Sequence, residues 1–178
     1  MKANPTQATF GSPAAGSLPH FFGLLLGKEV NADMVHVAFQ GGAPLKTAVL
    51  GDQVPMGIDT ISEWLPNHQA GKVRILATSG TARSKVVPEV ATFREQGYPN
   101  IVGAGWLAMY ATGKTPAVEL ERLNKALTKA LSSKEMTEKM LSFGMEVSGG
   151  SPSDLTKIEQ ADTARWAPVI KASGFRAD

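Results

Sequence analysis

The chain has 178 residues, 43% hydrophobic and 19% charged, with a formal net charge of +2; this is enough for one buried core and lacks the strongly basic face that nucleic acid requires. It contains no cysteine, which excludes disulfides, thiolate metal sites and cysteine nucleophiles. The apolar run at 21–26 is far shorter than the ~20 residues of a membrane span, and the polar stretch 3–7 after Met1-Lys2 does not read as a signal peptide.

In chain order, residues 7–10 read as a short strand and 20–27 as a helix closed by a glycine. A second strand at 34–39 leads to a helix at 43–50 that stops at Gly51; a third at 54–58 leads to a helix at 61–69 ended by Gly71; a fourth strand follows at 72–78. Three consecutive strand–helix–strand steps predict an α/β fold, a parallel sheet with flanking helices on both faces. In such sheets the ligand crevice lies at the carboxyl ends of the strands.

After residue 80 the rhythm changes. Val86-Val87-Pro88-Glu89-Val90 reads as a connector, 91–96 as a short helix ending at Gly97, and 101–111 as an extended or crossing segment with Gly103 and Gly105. Thr115-Pro116 predicts a helix start, and Leu120, Leu123, Leu127 and Leu131 give that helix an apolar stripe. Ser132-Ser133-Lys134-Glu135 has capping-box spacing for a helix through Phe143, and Ser151-Pro152 opens a last helix to about residue 172. Asp162 interrupts the apolar stripe of that helix, so it is expected to hold a structural hydrogen bond or ion pair.

The candidate chemistry lies in the first loop, Gly11-Ser12-Pro13-Ala14-Ala15-Gly16-Ser17. Its glycines have phosphate-loop spacing, but Ser17 stands where that motif needs its lysine and Leu18 where it needs Ser or Thr. Nucleotide hydrolysis is therefore not expected, and a neutral cradle of N–H groups and hydroxyls before a helix suits a carboxylate. The same residues also serve as a plain strand-to-helix turn with Ser17 as the cap. Gly41-Gly42-Ala43-Pro44 occupies the equivalent place in the next step. Asp59 ends the third strand, where it either accepts a ligand ammonium, orients a water or caps the following helix. His20, His36 and His68 have no metal-ligand spacing and read as structural; no cofactor or metal is implied.

Phe10-Gly11-Ser12, Gly16-Ser17 and His20 together resemble the second-lobe ligand loop of the Bug-type extracytoplasmic solute receptors, the binding components of tripartite tricarboxylate transporters. The likeness continues through Val35-His36-Val37-Ala38-Phe39-Gln40-Gly41-Gly42-Ala43-Pro44, through residues 51–59 and 70–77, and on to 86–93, Thr115-Pro116 and Trp166. It departs at Phe39, where tyrosine is frequent, at Gln40, where lysine is frequent, and at Pro13, Ala14 and Ala15, which leave fewer loop donors.

This resemblance implies one lobe of a type II periplasmic binding protein fold over residues 1–104, with 105–178 a crossing segment and C-terminal helices that normally return to a first lobe. It implies a non-enzymatic receptor in the periplasm. The receptor binds a di- or tricarboxylate or an acidic amino acid, and presents it to membrane transporter subunits. The ligand residues carried over are Ser12, Gly16 and Ser17 of the first loop, Gly41, Gly42 and Ala43 of the second, and Asp59. Family members have a whole first lobe ahead of the point where this chain begins. A truncated receptor would expose apolar surface from about Trp106 onward unless that surface packs on this lobe or on another chain, as in a homo-oligomer. Two other readings remain open from the residues alone. One is a small α/β enzyme acting on a carboxylate or phosphate ester with His20 or Asp59 as its base; the other is a remnant that binds nothing.

Overall fold

The computed structural model describes residues 8–176; Gln7, at the start of the first predicted strand, and the polar leader before it lie outside the described residues. The chain forms two compact units, one running to Gly105 and resuming at Trp166, the other Trp106–Arg165.

In the first unit, strands β1 (Thr9–Ser12) and β2 (Val35–Ala38) pair in parallel, with Phe10 opposite His36 and Ser12 opposite Ala38. The third predicted strand contributes one parallel bridge on the other side of β1, Gly11 to Gly57, through Gly11 N–H to Met56 O and Ile58 N–H to Gly11 O, both 2.9 Å. Thus β1 is central, and the sheet is narrower than predicted.

Helix α1 (Leu18–Val30) covers one face and α2 (Gly42–Leu50) the other. Alternation along β1 decides this: Phe10 and Ser12 face α1, while Leu45 of α2 lies against Gly11. Phe10 has no exposure, and its ring presses so closely on α1 that a Cβ at Gly23 would overlap it. Phe21, Phe22 and Leu26 of α1 form the main core with Ile101 and Trp166, where the Phe22 and Trp166 rings meet edge to face at 4.8 Å. A smaller core joins Leu65 of α3 (Ile61–Gln69) to Val87 and Val90. The Val86–Val90 connector is therefore a packed strap.

The fourth predicted strand, 72–78, forms no ladder; Thr78 alone makes a parallel bridge, to Thr92. The backbone groups a ladder needs are taken by side chains: His68 Nδ1 accepts from Ile75 N–H, and Gln96 Nε2 donates to Leu76 O. The helix expected at 91–96 is a series of turns. Thr92 and Glu95 exchange side-chain and backbone hydrogen bonds across three residues, and Gly97 at φ 91° ends the segment before a helix propagates.

In the second unit, α4 (Ala117–Leu131) is capped at Pro116 rather than Thr115, whose hydroxyl bonds Thr112 instead. Helix α5 (Lys134–Ser142) has Ser133 as its cap, accepting from Met136 N–H. At the start of α6 (Pro152–Ser173), Ser151 and Asp154 form a reciprocal capping box. Asp162 has the partner its position demanded, accepting from Trp106 Nε1 at 2.6 Å. The stripe of α4 buries nothing fully, and Leu107 and Met109 are 91% and 69% exposed.

Replacing Gly23 with Ala tests the close approach of α1 to β1. Alanine gains about 1 kcal/mol of helix propensity, whereas overpacking a closed core costs about 1–3 kcal/mol. Because Phe10 has nowhere to move, a lower urea midpoint is expected for Gly23→Ala; an unchanged or raised midpoint contradicts this packing.

Candidate ligand-binding site

The carboxyl end of β1 delivers the first loop, residues 13–17, and that of β2 delivers the second, 39–41, at one edge of the sheet. They are tied together by Phe39 N–H to Ser12 O at 3.0 Å and Gly41 N–H to Pro13 O at 2.8 Å. Both loops need glycine, since Gly16 and Gly41 have φ of 73° and 109°, and a Cβ at Gly16 would also strike the Phe175 ring.

Most predicted donors of the first loop are engaged within the chain. The Ser12 hydroxyl is fully buried and bonds both Ala14 O, at 3.0 Å, and His36 Nε2, at 2.7 Å. Gly16 N–H donates to His20 Nδ1 at 3.1 Å. Ser17 caps α1 by accepting from His20 N–H and donates its own proton to Ala14 O at 2.7 Å.

The second loop is different. Gly42 and Ala43 are the first two residues of α2, whose N-cap Gly41 supplies no side-chain bond. Their N–H groups have no acceptor within the helix and point from its positive end. Asp59 stands beside them: a Cβ on Gly42 would lie 3.0 Å from Asp59 Oδ2 and 2.9 Å from Glu63 Oε2. Lys46 pairs with Glu63 at 2.9 Å, and Asp59 Oδ1 accepts from Thr60 N–H at 2.8 Å. Burial, reinforced by the nearby Glu63 charge and opposed by the Thr60 bond and Lys46, holds the Asp59 carboxyl above its ordinary value. The structure therefore brings Gly41, Gly42, Ala43 and Asp59 into one cluster and makes Ser12, Gly16 and Ser17 the frame of the adjoining loop.

Two features escape a reading of the sequence by motif. Lys46 and Glu63 join the second-loop cluster from separate helices. The larger one is a stacked imidazole pair, His20 on His36, with centroids 3.8 Å apart and planes 16° apart. Phe10 packs on His36 at 4.9 Å, and Phe21 on His20 at 5.2 Å. A usable signal was present: in parallel register His36 lies opposite Phe10, on the face that α1 covers. Burial lowers the pKa of both histidines, and the His20 charge adds to the effect on His36, which falls to about 4. His68, by contrast, is a half-buried strut bonded to Glu89 at 3.1 Å.

Residues 1–175 match the model of the family described as Tripartite tricarboxylate transporter family receptor. The chain belongs to this family. A UPF0065 protein from Pseudomonas sp. strain P51 is 29% identical over 95% of this chain and 51% of its own length; BugT from Bordetella pertussis is 28% identical over 98% and 54%. Among solved structures, an R. palustris protein with adipate superposes with a TM-score of 0.83 at 29% identity, covering 93% of this chain and 56% of that one. MatC from Rhodopseudomonas palustris, with bound malate, gives 0.78 at 27%, covering 94% and 58%, and the periplasmic binding protein BugD gives 0.80 at 26%, covering 97% and 58%. The fold is one lobe of a periplasmic binding protein, and the chain spans about half the length of the curated relatives it matches. The family is one of receptors, not enzymes, so the alternative with His20 or Asp59 as a catalytic base falls. Among the described residues no helix is long and apolar enough to cross a membrane.

The histidine pair fixes an acid dependence of stability. Both pKa values lie below the ordinary 6.5 in the folded protein, so between pH 6.5 and about 4 the unfolded chain binds more protons. Stability from this source is complete above pH 6.5 and declines as pH falls toward 4. Melting temperatures from pH 7.5 to 4 should therefore drop, and less steeply in His36→Leu, where Ser12 keeps its bond to Ala14. Equal slopes in the two proteins would assign the acid loss to other groups.

Proposed function

We propose that this chain is the ligand-binding lobe of a periplasmic solute receptor that holds a small organic carboxylate, without chemical change, for membrane transporter subunits. The observation that carries this reading is the pair of unclaimed N–H groups at Gly42 and Ala43, at the positive end of α2 and beside the first loop. The bound adipate and malate of two structural neighbours support a dicarboxylate. In this reading residues 1–104 form the binding lobe and 105–178 a crossing segment and C-terminal helices that return to a complementary lobe, with Gly41 shaping the second loop and Ser12, Gly16 and Ser17 holding the first.

Asp59 refines the ligand. An ionised carboxylate next to the Gly42 amide repels a plain diacid and accepts from a hydroxyl or ammonium group. The cluster thus favours a hydroxy-dicarboxylate or an acidic amino acid over an unsubstituted diacid. The engaged donors of the first loop favour one competing reading, a lobe that binds nothing by itself.

A thermal-shift series with malate, glutamate, citrate and adipate decides between them, because a ligand that binds the native state raises the melting temperature. Malate or glutamate should give the larger rise; no rise with any of the four at millimolar concentration leaves the non-binding lobe. Ala43→Pro removes one amide donor at a position where the first turn of a helix tolerates proline. A hydrogen bond to a charged group is worth about 1.5–3 kcal/mol, so malate affinity should fall at least about tenfold, with the ligand-free melting temperature nearly unchanged. Unaltered affinity by calorimetry would remove α2 from the site.

A further inference from the structure

The hydrogen-bond ledger of the first loop can be closed proton by proton. A serine hydroxyl has one proton, and Ser12 spends it on Ala14 O, so His36 must be the donor in its 2.7 Å contact and carries its proton on Nε2. Gly16 N–H donates to His20 Nδ1, so that nitrogen is bare and neutral His20 carries its proton on Nε2. Each imidazole thus supports one end of the loop.

The engaged donors differ in what can free them. Ser12 and Ser17 bond to the carbonyl of Ala14, an acceptor that does not titrate. Gly16 bonds to an imidazole nitrogen, which stops accepting once it takes a proton.

We propose that His20 is a proton-operated latch on the first loop: neutral, it withholds the Gly16 amide from an anion, and protonated, it releases that amide toward the ligand edge. The inference rests on the carboxylate reading for its biological use, since binding an anion by the freed amide then takes up a proton. The groups packed against His20 are Phe10 from β1, Phe21 from its own helix, Phe175 from the C-terminal segment and His36 from β2. Of these only His36 titrates, and the His20 charge is itself one of the causes that lower the His36 pKa to about 4, so a proton on His20 opposes one on His36. The aromatic packing restrains the ring, so protonation changes the hydrogen bond before it moves the side chain.

The latch predicts a signature that a merely structural histidine lacks. In the full chain labelled with nitrogen-15 and titrated from pH 8 to 4.5, neutral His20 should show the Nε2–H tautomer. The Gly16 amide should shift, and exchange faster with water, at the same midpoint as the His20 ring. The Leu127 amide of α4 should stay level. In His20→Asn, whose Oδ1 replaces Nδ1 as an acceptor that does not titrate, the Gly16 amide should be flat with pH. A Gly16 amide indifferent to the wild-type His20 titration, or an Nδ1–H tautomer, overturns the latch, and both are read on the wild type if the variant fails to fold. Calorimetry with malate at pH 6 in two buffers of different ionisation enthalpy then counts protons: uptake in the wild type, lost in His20→Asn, supports the linkage, and binding with no uptake refutes it. If malate, glutamate, citrate and adipate all fail to bind at any pH, the carboxylate reading fails, and the latch is still decided by the amide titration.

Discussion

The stack of neutral His20 on His36 is the contact on which the edge carrying the two loops depends. It joins the first turn of α1 to the middle of β2, and through Gly16 and Ser12 it grips both ends of the loop between β1 and α1. Two imidazolium ions at 3.8 Å would repel strongly in a half-buried place, so the geometry requires that the two rings are not charged together. Phe10, Phe21 and Phe175 supply the apolar walls that enforce this. A pair that looks incidental in the sequence therefore sets the shape of the loop and the acid limit of the fold.

Much of the architecture was legible because its signals are local. Glycine stops marked the helices at 43–50 and 61–69, Ser17 was readable as a cap for the first helix, and the strand–helix alternation gave the parallel order. The misreadings share one cause. Residues 72–78 alternate as a strand does, yet alternation records only that one face is buried: Ile75 packs toward Leu65, Val87 and Val90 while Leu76 is exposed. Whether a ladder forms depends on who claims the backbone, and His68 and Gln96 claim it from distant positions. The turns at 92–97 fail as a helix for a related reason, since the capping exchange of Thr92 with Glu95 does not need a helix to follow it.

The site was legible to a different depth. Residue types and loop positions correctly drew the two loops to one edge, and Asp59 lies beside Gly42, where a third strand in parallel would put it. What the residues alone do not reveal is occupancy. Ser12, Gly16 and Ser17 have the right groups for an anion, but a donor serves a ligand only when the fold has left it unspent. The fold spends these three and spares the amides of Gly42 and Ala43.

That difference separates two kinds of loop within one site. In the proposed site the second loop is a fixed donor set: its geometry comes from a glycine N-cap and a helix end, neither of which titrates, and Asp59, half-buried beside Gly42, would set its selectivity. The first loop is a conditional donor set, because one of its acceptors is an imidazole nitrogen rather than a carbonyl. A ligand that reaches only the second loop gains the helix terminus alone. A ligand long enough to reach both must either leave Gly16 with His20 or compete for it, and the cost of that competition falls as the ring takes a proton. Chain length and pH then act on the same interaction. A diacid that engages both loops, malate included, should bind more tightly as His20 takes up its proton, as a consequence of which nitrogen holds the proton.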